Sequence, residues 1–200
     1  MTPNTASPVR TVVLGSTSRY RRELLSRLNL PFEVAAPDVD ETPHAGESPR
    51  ELALRLALAK ARAVAARHPE AVVIGCDQVL DFRKEAWGKP ETPDAARAQL
   101  QALRGQTHRL LSAVVLYERA EPVWRHVGEV RLTMRAFSDA YLDDYLTRNW
   151  DSARHSVGAY KLEEEGARLF SAVDGDYFTV LGLPLLPLLG YLGQRGWIAA

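Results

Sequence analysis

Apolar and polar positions follow one another along the chain with two different periods, and each switch between them marks an element. Thr11 to Leu14 is a short apolar run, β-branched at three positions, which predicts a buried strand. The turn Gly15-Ser16-Thr17-Ser18 follows. Arg19 to Asn29 then repeats at helical spacing, with Leu24, Leu25 and Leu28 on one side. Phe32 to Ala35 predicts a second strand, and Pro37 to Glu47 a loop rich in acid and proline. Ser48-Pro49-Arg50-Glu51 has the form of a capping box with proline at the first helical position. The helix it opens is expected to run to about Arg67, with Leu52, Leu56, Ala59 and Ala63 as its inner stripe.

Ala71 to Asp77 reads as a hydrophobic strand that ends in an acid, and Leu80 to Trp87 as a hairpin. Thr92-Pro93-Asp94 starts a helix that ends near Gly105. Thr107 to Glu118 and Val123 to Phe137 read as two long strands joined by a turn at Ala120 to Pro122. Ser138 caps a helix through Thr147, and Gly182 to Gly193 suggests a last one. Strands and helices alternate and a long hairpin follows, which predicts an α/β fold with a mixed sheet.

Composition changes this picture little. A chain of 200 residues suits one domain, or two lobes sharing a continuous core. Residues 1–10 are expected to form a loose polar tail and residues 11–200 to fold together. There are 25 basic and 25 acidic side chains, so no net field steers the protein toward nucleic acid, and an anionic ligand needs a local cluster. The single cysteine, Cys76, excludes an intramolecular disulfide and a multi-cysteine metal site. Met1 to Arg10 has no apolar core, and the most apolar stretch, Val180 to Leu192, is short and broken by glycine and proline. A cytoplasmic protein without membrane attachment is the expectation.

Three segments carry candidate chemistry. Gly15-Ser16-Thr17-Ser18-Arg19-Tyr20-Arg21-Arg22 runs from a strand through a small-residue turn into a helix, where unpaired N–H groups and the dipole favour an anion. A capped, basic surface helix is the competing reading, and neither a Walker A loop nor a GxGxxG fingerprint is present. Pro37-Asp38-Val39-Asp40-Glu41 brings together carboxylates that suit a hard cation sharing its oxygens with phosphates, or that simply face water. In Gly75-Cys76-Asp77-Gln78, alternation puts Val72, Ile74 and Cys76 on one face and Val73, Gly75 and Asp77 on the other. An acid closing a hydrophobic strand is costly unless it is paired, metal-bound or catalytic. Lys60, one turn after Leu56, is placed to reach a cleft or to snorkel, and Lys89 lies in the turn Trp87-Gly88-Lys89-Pro90. The five histidines show no metal-ligand spacing and read as structural or surface residues.

Taken in order, these segments resemble the Maf family of nucleotide pyrophosphatases from Val12 to about Leu192. Leu14-Gly15-Ser16-Thr17-Ser18 with Arg21-Arg22 resembles its phosphate loop, and Pro37 to Thr42 its acidic loop. Leu58-Ala59-Lys60-Ala61 resembles its lysine helix, Gly75-Cys76-Asp77-Gln78-Val79 its catalytic strand, and Gly88-Lys89-Pro90 the turn after it. Gly158-Ala159-Tyr160-Lys161 and Thr179 to Pro184 match its C-terminal half.

The resemblance implies a metal-dependent hydrolase (Mg²⁺, Mn²⁺ or Co²⁺) that splits between the α and β phosphates. It also implies an inosine-triphosphatase-like fold, with an elongated mixed β-sheet flanked by helices and two lobes around a central cleft, and a homodimer. On it, Asp77 is the catalytic base, Ser16, Arg21, Lys60 and Lys89 hold the triphosphate, and Glu41 helps hold the metal. The pair Asp77-Gln78 and the late segment Lys161-Leu162-Glu163 are similar to the subgroup acting on 7-methyl-GTP, with Tyr20, Gln78 and Glu163 at specificity positions. A carboxylate and an aromatic ring both suit a cationic base. Arg19 where the family has proline, Gly15 where it has alanine and Tyr20 where the subgroup has tryptophan put the base preference in question, not the reaction type. The alternatives are a dTTP/UTP pyrophosphatase of the same family and a non-catalytic nucleotide-binding regulator of cell division.

Overall fold

A computed structural model describes residues 11–198, so the expected tail at 1–10 lies outside the described residues. The chain forms β1 (Val12–Gly15), α1 (Arg19–Ser26), β2 (Glu33–Val34), α2 (Pro49–Ala65), β3 (Val72–Phe82) and β4 (Glu85–Trp87). There follow α3 (Pro93–Leu103), β5 (Thr107–Glu118), β6 (Glu121–Met134), α4 (Asp139–Ala153), β7 (Phe170–Asp174), α5 (Tyr177–Val180) and α6 (Leu185–Gln194). Seven strands make one sheet in the order β2-β1-β3-β5-β6-β7, with β4 also paired to β3. β1 runs parallel to β2 and β3, and every other pairing is antiparallel, so the sheet is mixed.

Local chemistry sets most element starts as expected. Ser48 and Glu51 exchange both bonds of a capping box at the head of α2, with Pro49 in the first turn. Thr92 and Ser138 cap α3 and α4. α2 covers one face of the sheet and packs Leu52, Leu56 and Val64 against Val13, Val73 and Val79. α1 and α6 cover the other face over Leu14, Ile74, Cys76 and Val114, and further along that face α3 and α4 enclose Leu80, Leu110, Val130 and Leu132. Gly75 is where α2 comes closest, because a Cβ there would meet the Ala57 carbonyl and Ala61 at 2.4 and 2.6 Å.

Three expectations need correction. Asp77 does not end a strand, whereas the hairpin expected over residues 80–87 forms, with the end of β3 as its first strand and β4 as its second. β3 continues through Asp77 to Phe82, because antiparallel pairing with β5 holds from Val73↔Tyr117 to Asp81↔Arg109. What ends near Asp77 is β1, whose last pair is Gly15↔Gly75. The helix capped by Ser138 runs to Ala153 instead of Thr147. β6 stops at Met134, and β7 and α5, neither of them anticipated, complete the sheet edge and its cover.

Candidate active site

β1 and β4 pair with the same edge of β3 at its two ends: β1 takes residues 72–75 and β4 residues 80–82. Cys76 to Val79 lie between them with no strand on that edge among the described residues. A cleft of about 1070 Å³ opens there. Because side chains alternate, it is reached from one face by Asp77 and from the other by Gln78, and both line it.

Residues from distant elements meet in this gap. Ser18 caps α1 through the Arg21 N–H. The buried Ser16 hydroxyl accepts from the Ser18 N–H at 3.3 Å and from Arg21 Nη1 at 3.2 Å. Arg21 also donates through Nη1 to the Cys76 carbonyl at 3.0 Å and through Nε to the Gly182 carbonyl at 2.9 Å. The open β3 edge is thus bonded to a guanidinium, and φ of +93° at Gly182 lets that backbone turn toward it. Lys60, on α2, is buried instead of snorkelling. Its Nζ lies 2.6 Å from Asp77 Oδ1 and 2.6 Å from Glu41 Oε1. Burial raises the pKa of Asp77 above the ordinary 3.8, with Glu41 adding to the rise and Lys60 and Arg21 opposing it. A desolvated carboxylate held beside two cations is a stronger base than a free one and is positioned to keep its charge.

Of the other expected site residues, Lys89 is exposed on the cleft rim. Tyr20, Gln78 and Glu163 come together around a side cavity of about 50 Å³ beside the main cleft. Glu163 is exposed, and its neighbour Glu164 makes the contact with Tyr20 by accepting from the phenol at 3.2 Å. The Tyr20 ring has Arg19 Cζ 4.7 Å and Lys161 Nζ 5.1 Å from its centroid, so cations already lie against it.

The far wall was missed in the sequence. Asp151, Ser152, His155 and Ser156 line the cleft, so His155 is a wall residue and not a bystander. Lys161 is buried, donates to Ser152 Oγ at 2.6 Å, and lies 3.5 Å from Glu164. Cutting α4 at Thr147 hid this wall. The signal for a longer helix was the helical spacing of Leu142, Tyr145, Leu146 and Ala153, all buried on one side of α4.

A mixed α/β sheet with an interrupted edge, a capped helix start beside the opening and a buried Asp–Lys pair make up the cleft of an enzyme. The chain belongs to the Maf family: the Maf-like protein family model matches residues 11–195. It is 54% identical over 193 residues to a nucleoside triphosphate pyrophosphatase of Ruegeria pomeroyi, covering 94% of this chain and 97% of that protein. It is 45% identical over 190 residues to a 7-methyl-GTP pyrophosphatase of Brucella abortus, covering 92% and 96%. A solved structure of a nucleoside-triphosphatase (dITP/XTP pyrophosphatase) from Mycobacterium abscessus is 14% identical, with 92% of this chain and 96% of that chain covered and a TM-score of 0.43.

Proposed function

We propose that this nucleoside triphosphate pyrophosphatase takes 7-methyl-GTP as its preferred substrate and cuts it to 7-methyl-GMP and pyrophosphate, with Asp77 as the general base. The observation that carries the reaction is the buried Asp77 on the open β3 edge, 2.6 Å from Lys60 and next to the anchored Arg21. Ser16, the first turn of α1, Arg21, Lys60 and Lys89 hold the phosphate chain. As phosphate oxygens take over part of the Lys60 charge, Asp77 is released to accept a proton from water, and the hydroxide attacks in line. Pyrophosphate leaves, and the fixed Arg21 and the lysines meet the charge that develops on it.

A divalent cation fits this site in one particular way. Among the described residues no three His, Cys, Asp or Glu side chains come together as a cage. Glu41 is a half-exposed carboxylate at the cleft, and one carboxylate suits an ion that arrives on phosphates and keeps several waters. Glu41 would hold Mg²⁺, Mn²⁺ or Co²⁺ there, and when bound the ion supplies charge neutralisation on the phosphates.

The base preference rests on Glu163, Gln78 and Tyr20 sharing one side cavity, and on the 7-methyl-GTP pyrophosphatases among the relatives. A carboxylate and a ring face both favour a cationic base. Such an enzyme works on the free nucleotide pool, for which the cytoplasm is the expected place. Among the described residues no helix is long and apolar enough to cross a membrane.

The test is product formation from 7-methyl-GTP, GTP, dTTP, UTP, CTP and ITP with each metal, measuring nucleotide and pyrophosphate. Monophosphate plus pyrophosphate, fastest from 7-methyl-GTP, is expected. Fastest turnover of dTTP or UTP would retain the reaction and reject the base assignment. Absence of turnover throughout would leave a binding protein.

A further inference from the structure

On the Gln78 face of the sheet, two apolar clusters stop short of each other. Ile74, Cys76, Val114 and Leu116 belong to the one under α1 and α6, while Leu80, Phe82, Leu110, Val130 and Leu132 belong to the one under α3 and α4. Between them runs a single row, Gln78, Ser112 and Gly128, in register across β3, β5 and β6. The short helix α5 sits on this row. Gly128 has no side chain because Thr179 occupies the space: a Cβ there would meet Thr179 side-chain atoms at 2.9 Å and Pro184 at 3.1 Å. So seated, the Thr179 carbonyl lies 2.8 Å from Ser112 Oγ and 3.2 Å from Gln78 Nε2. The Val180 carbonyl and Ser112 Oγ each lie 2.9 Å from the same nitrogen.

The chemistry of these partners decides which way round the amide lies. Two of the three are backbone carbonyls, which only accept. The third is the Ser112 hydroxyl, whose one proton is given to Thr179, so it too accepts from Gln78. An amide oxygen in that place would face three acceptors and no proton. The nitrogen must point there, and the oxygen is left facing the other way. Gln78 lines both the cleft and its side cavity, and its Oε1 has no hydrogen bond among the described residues. The same cavity is lined by Glu163 and by Lys161.

We propose that Ser112 and the α5 turn are positioning groups that lock Gln78 carbonyl-outward, so that the base subsite offers two acceptors, Gln78 Oε1 and Glu163, beside one donor, Lys161. That set complements a lactam edge: a ring N–H and an exocyclic amine as donors, and a carbonyl as acceptor. Guanine-type bases carry all three. Hypoxanthine lacks the amine, uracil has a single donor between two carbonyls, and adenine and cytosine present a bare ring nitrogen that meets the Gln78 oxygen with no proton between them. The inference rests on the reading of the cleft as a nucleoside triphosphate site, and it adds the polarity of the amide and the residues that set it.

The experiment measures Kd for GTP, ITP, UTP, ATP and CTP by calorimetry with EDTA present, and KM and kcat with metal, on the full chain. Wild type is expected to prefer GTP over ITP and to bind ATP and CTP at least about tenfold more weakly. Gln78→Met removes one of the two acceptors and should lower the GTP:ATP and UTP:CTP ratios about tenfold, Glu163 keeping the remainder. Ser112→Ala and Gly128→Ala leave Gln78 in place but loosen its amide, and each should lower the same ratios about three- to tenfold, through KM more than kcat. A merely structural role for Ser112 would change all bases alike. Equal affinity for all five triphosphates in wild type would overturn the proposal, as would unchanged ratios in Gln78→Met. Should one sheet variant fail to fold, the other still tests the lock, where unchanged ratios would reject it, and Gln78→Met tests the acceptor. Ordered affinities without turnover would support the subsite and reject the enzymatic reading instead.

Discussion

The two ends of the cleft are built from different materials. The phosphate end is charged and assembled largely from neighbouring segments: β1, the turn into α1, the acidic loop and α2 lie within the first third of the chain, while Cys76, Asp77, Lys89 and Gly182 reach in from elsewhere. The base end is mostly neutral and assembled across long separations, with Gln78 bonded to Thr179 and Val180 more than a hundred positions away. In the first, cations hold a buried base and an anionic substrate, where Coulomb terms are large. In the second, amide, hydroxyl and carbonyl groups are arranged by geometry, where each bond is worth little net and misplacement is what costs. Rate should therefore depend on the first end and choice on the second.

The sharpest break of that division is Asp77→Asn. It should lower kcat by at least about 100-fold, the low end for a lost general base, and leave triphosphate Kd and the base ratios near wild type. Near-wild-type turnover would remove Asp77 from its role. The pH profile gives a second reading of the same group. The base works unprotonated, and burial raises its pKa, so the acid limb of kcat/KM should fall above 3.8, the ordinary aspartate value. Lys60→Met goes further, because it leaves Asp77 buried beside one fewer cation. It should destabilise the fold by about 3–5 kcal/mol, as for a buried pair with one partner removed, and move the acid limb higher. Adding Asp77→Asn should recover part of that stability in a denaturant titration. If the double variant is no more stable than Lys60→Met, the pair is not coupled.

A buried histidine sets the corresponding test at the base end. His108 Nε2 lies 2.6 Å from the Tyr160 hydroxyl, and Tyr160 lines the side cavity. Its Nδ1 has no partner among the described residues, and burial lowers its pKa from 6.5 to about 4. The folded chain therefore keeps this ring neutral where the unfolded chain protonates it. Stability is complete above pH 6.5 and falls as the pH drops toward 4, by up to about 3 kcal/mol at 1.36 kcal/mol for each unit. His108→Phe should flatten that part of the stability–pH curve, and an unchanged slope would assign acid sensitivity elsewhere.

Legibility in the sequence follows the same line between local and distant. The capping box at Ser48, the caps at Thr92 and Ser138 and the alternation along β3 were readable because each is decided by residues a few positions apart. The face assignment of Asp77 held, but the end of its strand did not: β3 continues because β5 pairs with it, and β5 lies some thirty residues on. The gap at Cys76 to Val79 follows from where β1 and β4 stop, which is a property of three strands at once. β7 and α5 escaped because their partners, β6 and the Ser112 row, are what give them structure. Tyr20, Gln78 and Glu163 were named through a resemblance, whereas the support from Ser152, Lys161 and Glu164 needed the full length of α4.

The smallest expected effect separates two uses of one side chain at the junction of the two ends. The Tyr20 hydroxyl accepts from Arg19 at 2.6 Å and donates to Glu164 at 3.2 Å, which ties the start of α1 to the segment after α4. Its ring meets Lys161 and Arg19, so a cationic base that stacks there must share or displace a charge already in place. Arg19 is well exposed and exchanges readily with water, so the bridge it makes is weak and screened. Tyr20→Phe removes the bridge and keeps the ring, and should change KM for 7-methyl-GTP by less than about threefold, the effect of one weak hydrogen bond. Tyr20→Leu removes both, and should lower the preference for 7-methyl-GTP over GTP further, because the ring face is one of the two groups, with the Glu163 carboxylate, that distinguish the charged base from the neutral one. If Tyr20→Phe costs as much as Tyr20→Leu, the phenol acts as a tie across the cleft and not as a platform, and the discrimination between the two bases falls to the Glu163 carboxylate.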